Sequence, residues 1–318
     1  MFGFGRSAKP APRHESAAAT KTPGLTAEER LILDGTTATL AGNSDGAEEG
    51  ERPEAEETRE EWQARLEQRI LTERSVYLTA SIRYHSEDNS GDVAVIADAL
   101  ARSTSIRALW MDSNNIGEAG AERIAEALRY STSLQVLYLG FNNIGANGVG
   151  ALADVLWNNE TLVSLHLYHN NIGNVGAGKC AEALRHNRSL QELDLSVNEI
   201  GNSGISKLAD ALKINTGLLV LKLYKNNASD SGAEKLALSL KENTSLQRLY
   251  LGSNSIGNTG AQAFVECIGG GSNSTIRTLD LYGNQNVSHE TQTKIRGLIE
   301  APKMQPIWQK LLPEGHVI

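Results

Sequence analysis

Residues 134–161 read LQVLYLGFNNIGANGVGALADVLWNNET, and residues 190–217 read LQELDLSVNEIGNSGISKLADALKINTG. Aligned from end to end, the two stretches share leucines, two asparagines and a pair of glycines at the same positions. A pattern of this length that recurs at a fixed period is typical of a solenoid of stacked units. Such units open at 28-residue intervals, with one last unit after 30 residues, at Ile106, Leu134, Leu162, Leu190, Leu218, Leu246 and Ile276.

Each unit divides into a strand half and a helix half. The motif LxLxx alternates with a period of two, which predicts a short strand whose leucines face inward. The motif GAxxLAxAL places its apolar residues on one face of a helix. One unit is too small to bury a core of its own, so the units must stack into a layer of parallel strands and a layer of helices.

Every unit also carries an asparagine at the end of its strand half. A buried amide needs hydrogen-bond partners, and the backbone of the adjacent units offers them, so we expect a ladder of asparagines along the stack. Glycines follow and allow a tight strand-to-helix turn. One unit has Ala228 and Ser229 in place of Ile-Gly, so its turn should be looser. The ladder residues are Asn114, Asn142, Asn170, Asn198, Asn226, Asn254 and Asn284.

In length, helix content and consensus the unit resembles the ribonuclease-inhibitor type of leucine-rich repeat. The resemblance covers residues 78–300 and is carried by about eight recurrences of LxxLxLxxNxIGxxGAxxLAxALxxNxS, the first and last degenerate. It implies an α/β fold: a right-handed horseshoe solenoid with a parallel sheet on the concave side and helices on the convex side. It also implies that a protein partner binds the concave face.

Four regions are expected along the chain. Residues 1–58 have the composition of a disordered arm that ends in an acidic stretch. Residues 59–77 should form a capping helix, 78–300 the repeat domain and 301–318 a capping tail. An alternative for the tail is that it binds a partner as a peptide. The apolar residues assigned to the two caps are Trp62, Leu66, Ile70, Ile307, Trp308, Leu311 and Leu312.

The first unit of the repeat domain is expected to be degraded. Residues 78–105 keep a helix half with Ile96, Ala99 and Leu100, whereas Ser81 and Arg83 occupy the leucine positions of the strand half. Terminal units of solenoids often depart from the consensus in this way, so we interpret this unit as part of the cap.

Composition argues against several classes of protein. The net charge of −8 opposes a general affinity for nucleic acid or anionic lipid, and no apolar run is long enough to cross a membrane. Two cysteines, Cys180 and Cys267, are too few for a disulfide framework or a cysteine zinc site. No secretory signal is recognisable, so a cytoplasmic location is expected. The alternative is that the basic, acid-poor first residues form an organellar transit peptide. No cofactor is expected.

Five asparagines lie in Asn-x-Ser/Thr sequences, the acceptor motif for N-glycosylation. Because glycosylation requires a secretory route, for which the sequence gives no sign, we assign them to turn chemistry. They are Asn159, Asn187, Asn243, Asn273 and Asn286.

One stretch, Gly173–Cys180, is a near match to the phosphate-binding pattern GxxxxGK[ST], with a cysteine in the last position. The repeat register explains it without a nucleotide. Gly173 and Gly176 occupy the turn positions that glycines fill in neighbouring units, Cys180 occupies a core position, and Lys179 occupies a solvated helix position. We therefore expect no phosphate site.

Two histidines in one strand half, His166 and His169, suggest a metal site. A usable zinc site needs a third or fourth ligand, and the register supplies only Asp194 in the same row as His166. The register also places no serine, cysteine or second acid as a catalytic partner, so neither a metal site nor catalysis is expected, and the protein should not be an enzyme.

The register predicts rows of side chains across the concave face, rich in aromatic residues although such residues make up only 5% of the chain. Tyrosine and tryptophan suit interface anchors, because they offer large contact area at little cost in entropy. The alternative is that aromatic pairs only stiffen the sheet. The residues expected to bind a partner are Trp110, Tyr138, Phe141, His166, Tyr168, His169, Asp194, Lys222, Tyr224, Tyr250 and Tyr282.

The favoured hypothesis is a non-enzymatic protein-binding module of unknown oligomeric state, with no nucleic acid and no membrane as partner. A second hypothesis is a regulator of a small GTPase, similar to the Ran GTPase-activating protein, although the acidic stretch here precedes the repeats. A third is a sensor or effector that signals through the arm at residues 1–58.

Overall fold

Eight short strands and nine helices alternate along the residues that this computed structural model describes, 58–78 and 90–300. The strands are β1 (Ser75–Tyr77), β2 (Ala108–Trp110), β3 (Val136–Tyr138), β4 (Ser164–His166), β5 (Glu192–Asp194), β6 (Val220–Lys222), β7 (Arg248–Tyr250) and β8 (Thr278–Asp280). The helices are α1 (Arg59–Thr72), α2 (Ser90–Arg102), α3 (Gly117–Tyr130), α4 (Gly145–Leu156), α5 (Gly173–His186), α6 (Asn202–Leu212), α7 (Asp230–Leu240), α8 (Asn258–Gly269) and α9 (His289–Glu300).

The strands form one open parallel sheet in chain order, from β1 to β8. The middle residue of each strand faces the helices, so Leu137, Leu165 and Leu193 lie side by side and join one continuous core. Consecutive helices pack on each other in the second layer. The α/β horseshoe solenoid predicted from the period is confirmed.

The sheet begins earlier than the period predicts. Ser75 of β1 pairs with Ala108 of β2, 33 residues further along the chain. Val76 and Leu78 are fully buried and take the inward positions that the sequence had suggested for residues 81 and 83. The pairing therefore places the strand half of the first unit at Ser75–Tyr77, and residues 81 and 83 themselves lie outside the described residues.

The strand-end asparagines form the predicted ladder. Asn170 shows the pattern: its Nδ2 donates to the carbonyl oxygen of Leu139 at 2.7 Å, and its Oδ1 accepts from the backbone N–H of Asn142 at 3.0 Å. Its neighbours along the stack repeat both kinds of bond to the preceding unit. Each buried amide thereby ties its own unit to the one before it.

The turns after the strands are of two kinds, which the sequence analysis did not separate. Gly145 and Gly173 have φ of +67° and +57°, in the left-handed region, whereas Gly201 and Ser229 are extended. In the extended turns an Asn or Asp of the preceding unit accepts backbone N–H bonds; Asn174 Oδ1 accepts from Gly201 and Gly204, both at 2.9 Å. In the extended turns, a side chain one unit earlier therefore holds the conformation.

The turn at Ser229 is not looser than its neighbours, so that prediction was wrong. The Ser229 backbone N–H donates to Asn202 Oδ1 at 2.9 Å, and Ser229 also forms a parallel bridge with Ser255. Since these bonds use only the backbone N–H and C=O groups, serine replaces glycine here without loss of the turn. The adjacent Ala228 is fully buried in the isoleucine position.

Four of the five asparagines of the glycosylation motifs, all except Asn286, belong to another ladder, at the ends of the helices. Nδ2 of Asn187 donates to the carbonyl oxygens of Leu156 at 2.6 Å and of Asn159 at 2.9 Å, while its Oδ1 accepts from the N–H of Leu190 at 2.8 Å. Asn243 and Asn273 make the same bonds. Amides bonded and buried in this way serve the turns of the fold.

At the amino-terminal end of the stack, α1 lies over α2 and β1. A capping box opens the helix: Thr58 Oγ1 accepts from the Glu61 N–H, and the Glu61 carboxylate accepts from the Thr58 N–H. One face buries Trp62, Leu66 and Ile70. The expected tail and nearly all of the expected arm lie outside the described residues. None of the described helices is long and apolar enough to span a membrane.

Candidate functional site

The concave face carries the rows of side chains that the register predicts. The third residues of consecutive strands pair directly, so that Trp110 lies beside Tyr138, Tyr138 beside His166 and His166 beside Asp194. The row continues through Lys222 and Tyr250 to Asp280. Tyr77 pairs with Trp110 and begins the row. We call these residues the central row: Tyr77, Trp110, Tyr138, His166, Asp194, Lys222, Tyr250 and Asp280.

The amino-terminal half of the central row is a continuous stack of rings. The ring centroids of Tyr77 and Trp110 lie 4.1 Å apart, those of Trp110 and Tyr138 5.5 Å, and those of Tyr138 and His166 3.9 Å. All three pairs are close to parallel, within 15°. The strand spacing of about 4.8 Å is what allows neighbouring rings to stack in this way.

A second aromatic group lies beside the stack, where the strands end. The ring of Phe141 stacks on His169 at 4.3 Å and meets the edge of Tyr168 at 5.4 Å. The backbone of Phe141 and His169 is left-handed, with φ of +55° and +56°. This conformation is uncommon for bulky side chains, and the ladder bonds on both sides of each residue hold it in place.

Tyr168 lies flat across the neighbouring strand because its neighbour is a glycine. A Cβ atom on Gly140 would lie 2.2 Å from Cζ of the Tyr168 ring, so only glycine leaves room for it. In this position the Tyr168 hydroxyl donates a hydrogen bond to the carboxylate of Asp112, which also accepts from the Gly140 N–H at 2.6 Å. Gly140 and Asp112 thus fix the position of the ring on the face.

Burial raises the pKa of Asp112 from 3.8 to about 6, although hydrogen bonds from Gly140 and Tyr168 oppose the change. The folded state therefore binds a proton more tightly than the unfolded state, and stability falls as the pH rises from about 4 to about 6.

We expect Asp112→Asn to remove this loss. We compare the free energy of unfolding of the variant with that of the natural protein. The difference, variant minus natural, should increase by about 3 kcal/mol between pH 4 and pH 7, because a pKa change of about two corresponds to that energy. Urea denaturation at a series of pH values measures the difference. Asp194→Asn is the control: because the pKa of Asp194 lies below its ordinary value of 3.8, this carboxyl titrates below about pH 4, and its difference should stay nearly flat between pH 4 and pH 7. A flat difference for Asp112→Asn would contradict the expectation.

The centre of the face holds a cluster of charged residues. Lys222 Nζ lies 2.7 Å from Glu192 Oε1 and 3.9 Å from Asp194 Oδ2. His166 Nδ1 lies 3.7 Å from Asp194 Oδ2. Burial alone would raise the pKa of Asp194, yet His166 and Lys222 hold it below its ordinary value. The sequence analysis placed Asp194 and Lys222 here but missed Glu192.

Glu192 and Ser164 were detectable in the sequence. Residues two apart on a strand share a face, so Ser164 and Glu192 must lie on the same side as His166 and Asp194. The expectation that no serine or second acid accompanies His166 was therefore wrong: Ser164 Oγ lies 2.9 Å from His166 Nε2, and Glu192 Oε1 lies 3.9 Å from it.

Ser164, His166 and Asp194 have the residue types of a catalytic triad but not its accessibility. Ser164 is 0% exposed, so a substrate carbonyl cannot reach its Oγ, and the separation of 3.7 Å between His166 Nδ1 and Asp194 Oδ2 exceeds a hydrogen bond. The serine instead satisfies a buried histidine nitrogen.

The residues expected to bind a partner differ in accessibility. Trp110, His166 and Asp194 are only 7%, 3% and 8% exposed, because their neighbours in the row cover them. They form the floor of the face and do not project from it. Five others are half-buried: Tyr138, Tyr168, Lys222, Tyr224 and Tyr250. The remaining three, like the unanticipated Tyr77, are exposed: Phe141, His169 and Tyr282.

Neither a metal site nor a nucleotide site is formed by the candidate residues. Among residues 58–78 and 90–300, no three His, Cys, Asp or Glu side chains are arranged to hold a metal ion. Gly173 is the left-handed turn residue that opens α5, and the residues after it through Cys180 are helical, so no loop is available to cradle a phosphate. Burial raises the pKa of the Cys180 thiol to about 12, which makes it an inert core residue.

Comparison with known proteins agrees with the fold. A family model described as leucine-rich repeat matches residues 130–153, 158–179, 186–209 and 242–265. The chain therefore carries leucine-rich repeats, and at least four of its units are recognisable as such. No curated protein sequence matches the chain significantly.

Several solved structures are similar to this chain. Actin-binding site 2 of leiomodin-1 has 16% identity and a TM-score of 0.42, with 46% of this chain and 84% of that one covered. The tropomodulin C-terminal domain of Caenorhabditis elegans has 15% identity and a TM-score of 0.41, with 48% and 91% covered. TLR13 in its complex with ssRNA13 has 18% identity and a TM-score of 0.36, with 70% and 34% covered. Similarity at this level carries no information about the partner of this chain.

Proposed function

We propose that this protein is a non-enzymatic binding module that holds a protein partner against the concave face of its sheet. The observation that carries the proposal is the stack of four rings from Tyr77 to His166, joined by the group around Phe141. The core beneath is already filled by leucines, so the rings are not needed for burial. Rigid aromatic side chains on a preformed surface are the usual anchors of protein interfaces.

We further assign the units to the ribonuclease-inhibitor type of leucine-rich repeat. The 28-residue spacing of the strands and the full helix of 11 to 14 residues in each complete unit support the assignment. Partner binding from the concave side is what that type implies.

The test replaces Tyr138, Tyr168 and Tyr224 with alanine. The partner is first identified by affinity capture of the full-length protein from its source lysate and mass spectrometry. We expect the triple variant to bind that partner at least about tenfold more weakly, since lost aromatic anchors commonly cost about 2 kcal/mol or more. Fluorescence anisotropy with the purified partner measures the change.

Two further variants make the test specific. Tyr130→Ala removes a tyrosine that is 65% exposed at the end of α3, away from the sheet, and should leave affinity unchanged. Phe141→Ala with Tyr282→Ala removes rings that are 39% and 78% exposed, and should weaken binding without a loss of stability. Equal affinity of the Tyr130 and triple variants would rule out the concave face.

The hypothesis of a small-GTPase regulator is separated by its own assay. A panel of small GTPases is incubated with GTP in the presence and absence of the protein, and hydrolysis is followed. Faster GTP hydrolysis would favour a GTPase regulator over a simple binding module. Unchanged hydrolysis rates across the panel would support the binding module.

A further inference from the structure

The charged cluster at the centre of the concave face has an unsatisfied carboxylate. The Glu192 side chain is only 3% exposed, and Lys222 Nζ lies 2.7 Å from its Oε1. Both oxygens, Oε1 and Oε2, are buried and lack a hydrogen-bond partner among the described residues, so the Lys222 contact is an ion pair without hydrogen-bond geometry. Buried carboxylate oxygens are normally bonded, so the Glu192 carboxylate can accept a further hydrogen-bond donor.

The resident cation is poorly matched to this carboxylate. An ammonium is a compact point charge, and the Lys222 ammonium reaches Oε1 at 2.7 Å but Asp194 Oδ2 only at 3.9 Å. A planar guanidinium has donors in a fork that fits both oxygens of a carboxylate. An arginine in place of the ammonium would therefore satisfy an oxygen that Lys222 leaves unpaired.

The surroundings favour a cation. Two buried carboxylates, those of Glu192 and Asp194, face one ammonium, and the next basic residue in the row of Glu192 is Arg248, two strands away. The stacked rings of Tyr138 and His166 flank the cluster, and the face of a tyrosine ring attracts guanidinium groups.

We propose that the concave face receives an arginine side chain of its protein partner at Glu192 and Asp194, and that Lys222 holds this place in the free protein. The Lys222 side chain is 18% exposed, against 3% for Glu192, so it is the member of the pair that can move out toward solvent. This inference rests on the proposed function, because it specifies the partner as a protein segment that presents an arginine.

The test uses fluorescein-labelled hexa-arginine and hexa-lysine peptides in about 0.15 M salt, with binding followed by anisotropy. We expect the arginine peptide to bind about fivefold or more tightly than the lysine peptide, because only the guanidinium fork fits both oxygens. Glu192→Gln should lower the affinity for the arginine peptide about fivefold. Its matched control is Glu122→Gln on the exposed side of α3, which removes the same charge and should change affinity less than about twofold.

Lys222→Arg gives the sharpest result. The new guanidinium would itself bind the carboxylates of Glu192 and Asp194. This variant should therefore melt at or above the temperature of the natural protein, and its affinity for the arginine peptide should fall about fivefold. Circular dichroism establishes that each variant is folded. Unchanged affinity of Lys222→Arg, or equal effects of Glu192→Gln and Glu122→Gln, would overturn the inference. These peptide results are independent of the tyrosine variants, so the inference can fail while the proposed function stands.

Discussion

Replacing Asn170 with alanine is expected to lower the free energy of unfolding by about 3–6 kcal/mol, because several buried backbone groups lose their only side-chain partner at once. The Asn170 side chain is fully buried. Its Nδ2 bonds the carbonyl oxygen of Leu139 at 2.7 Å, and its Oδ1 accepts from the N–H groups of Asn142 at 3.0 Å and Ile144 at 3.3 Å.

The position of Asn170 in the stack makes the loss larger than a local one. Its bonds join the unit of β4 to the unit of β3, near the middle of the eight strands. Units of a solenoid contact only their neighbours, so a weak interface at the centre separates the stack into two shorter and less stable halves. Urea denaturation should show a lower midpoint, and a second transition would indicate that the halves have separated.

The matched control for this change is Asn158→Ala. Asn158 lies just after α4 and is exposed, and the same substitution there should cost less than about 0.5 kcal/mol. A loss at Asn170 no greater than the loss at Asn158 would show that the ladder does not contribute to stability.

Most of the fold could be predicted from the 28-residue period of the repeats. Because the units from Leu134 to Leu246 have the same length, the residues that pair across the sheet are found by adding 28, and this placed Tyr138, His166 and Asp194 correctly in one row. The period gave the wrong position for the first strand, because Ser75 of β1 pairs with a residue 33 positions further along the chain and not 28. Tyr77, the first ring of the stack, was missed for that reason.

What the sequence did not reveal depends on contacts between units. The conformation of the turn at Gly201 is set by Asn174 of the unit before it, which a consensus for single units does not contain. The burial of His166 depends on the ring of Tyr138 and the carboxylates of the next strand, whose rotamers only packing decides. The site was therefore predicted as a surface, while its division into a buried floor and exposed rings required the structure.

The second large effect is expected at the end of the stack. Trp62 on α1 is only 1% exposed. Trp62→Ala should lower the free energy of unfolding of the first units by about 3–5 kcal/mol, as truncation of a buried aromatic side chain usually does. Trp62, Leu66 and Ile70 form the buried face of α1, which packs against α2 and β1. The role of α1 as a cap predicts that the damage stays local.

Hydrogen exchange read by mass spectrometry separates a local effect from a global one. In Trp62→Ala, protection should fall across α2 and β1, while α5 and β5 exchange as in the natural protein, because each unit of a solenoid depends directly only on its neighbours. Trp157→Ala is the matched control: this ring is 41% exposed, stacks on His186 at 3.5 Å, and should cost about 1 kcal/mol or less. An equal loss of protection along the whole stack would mean that α1 stabilises the solenoid as one cooperative body and does not act as a terminal cap.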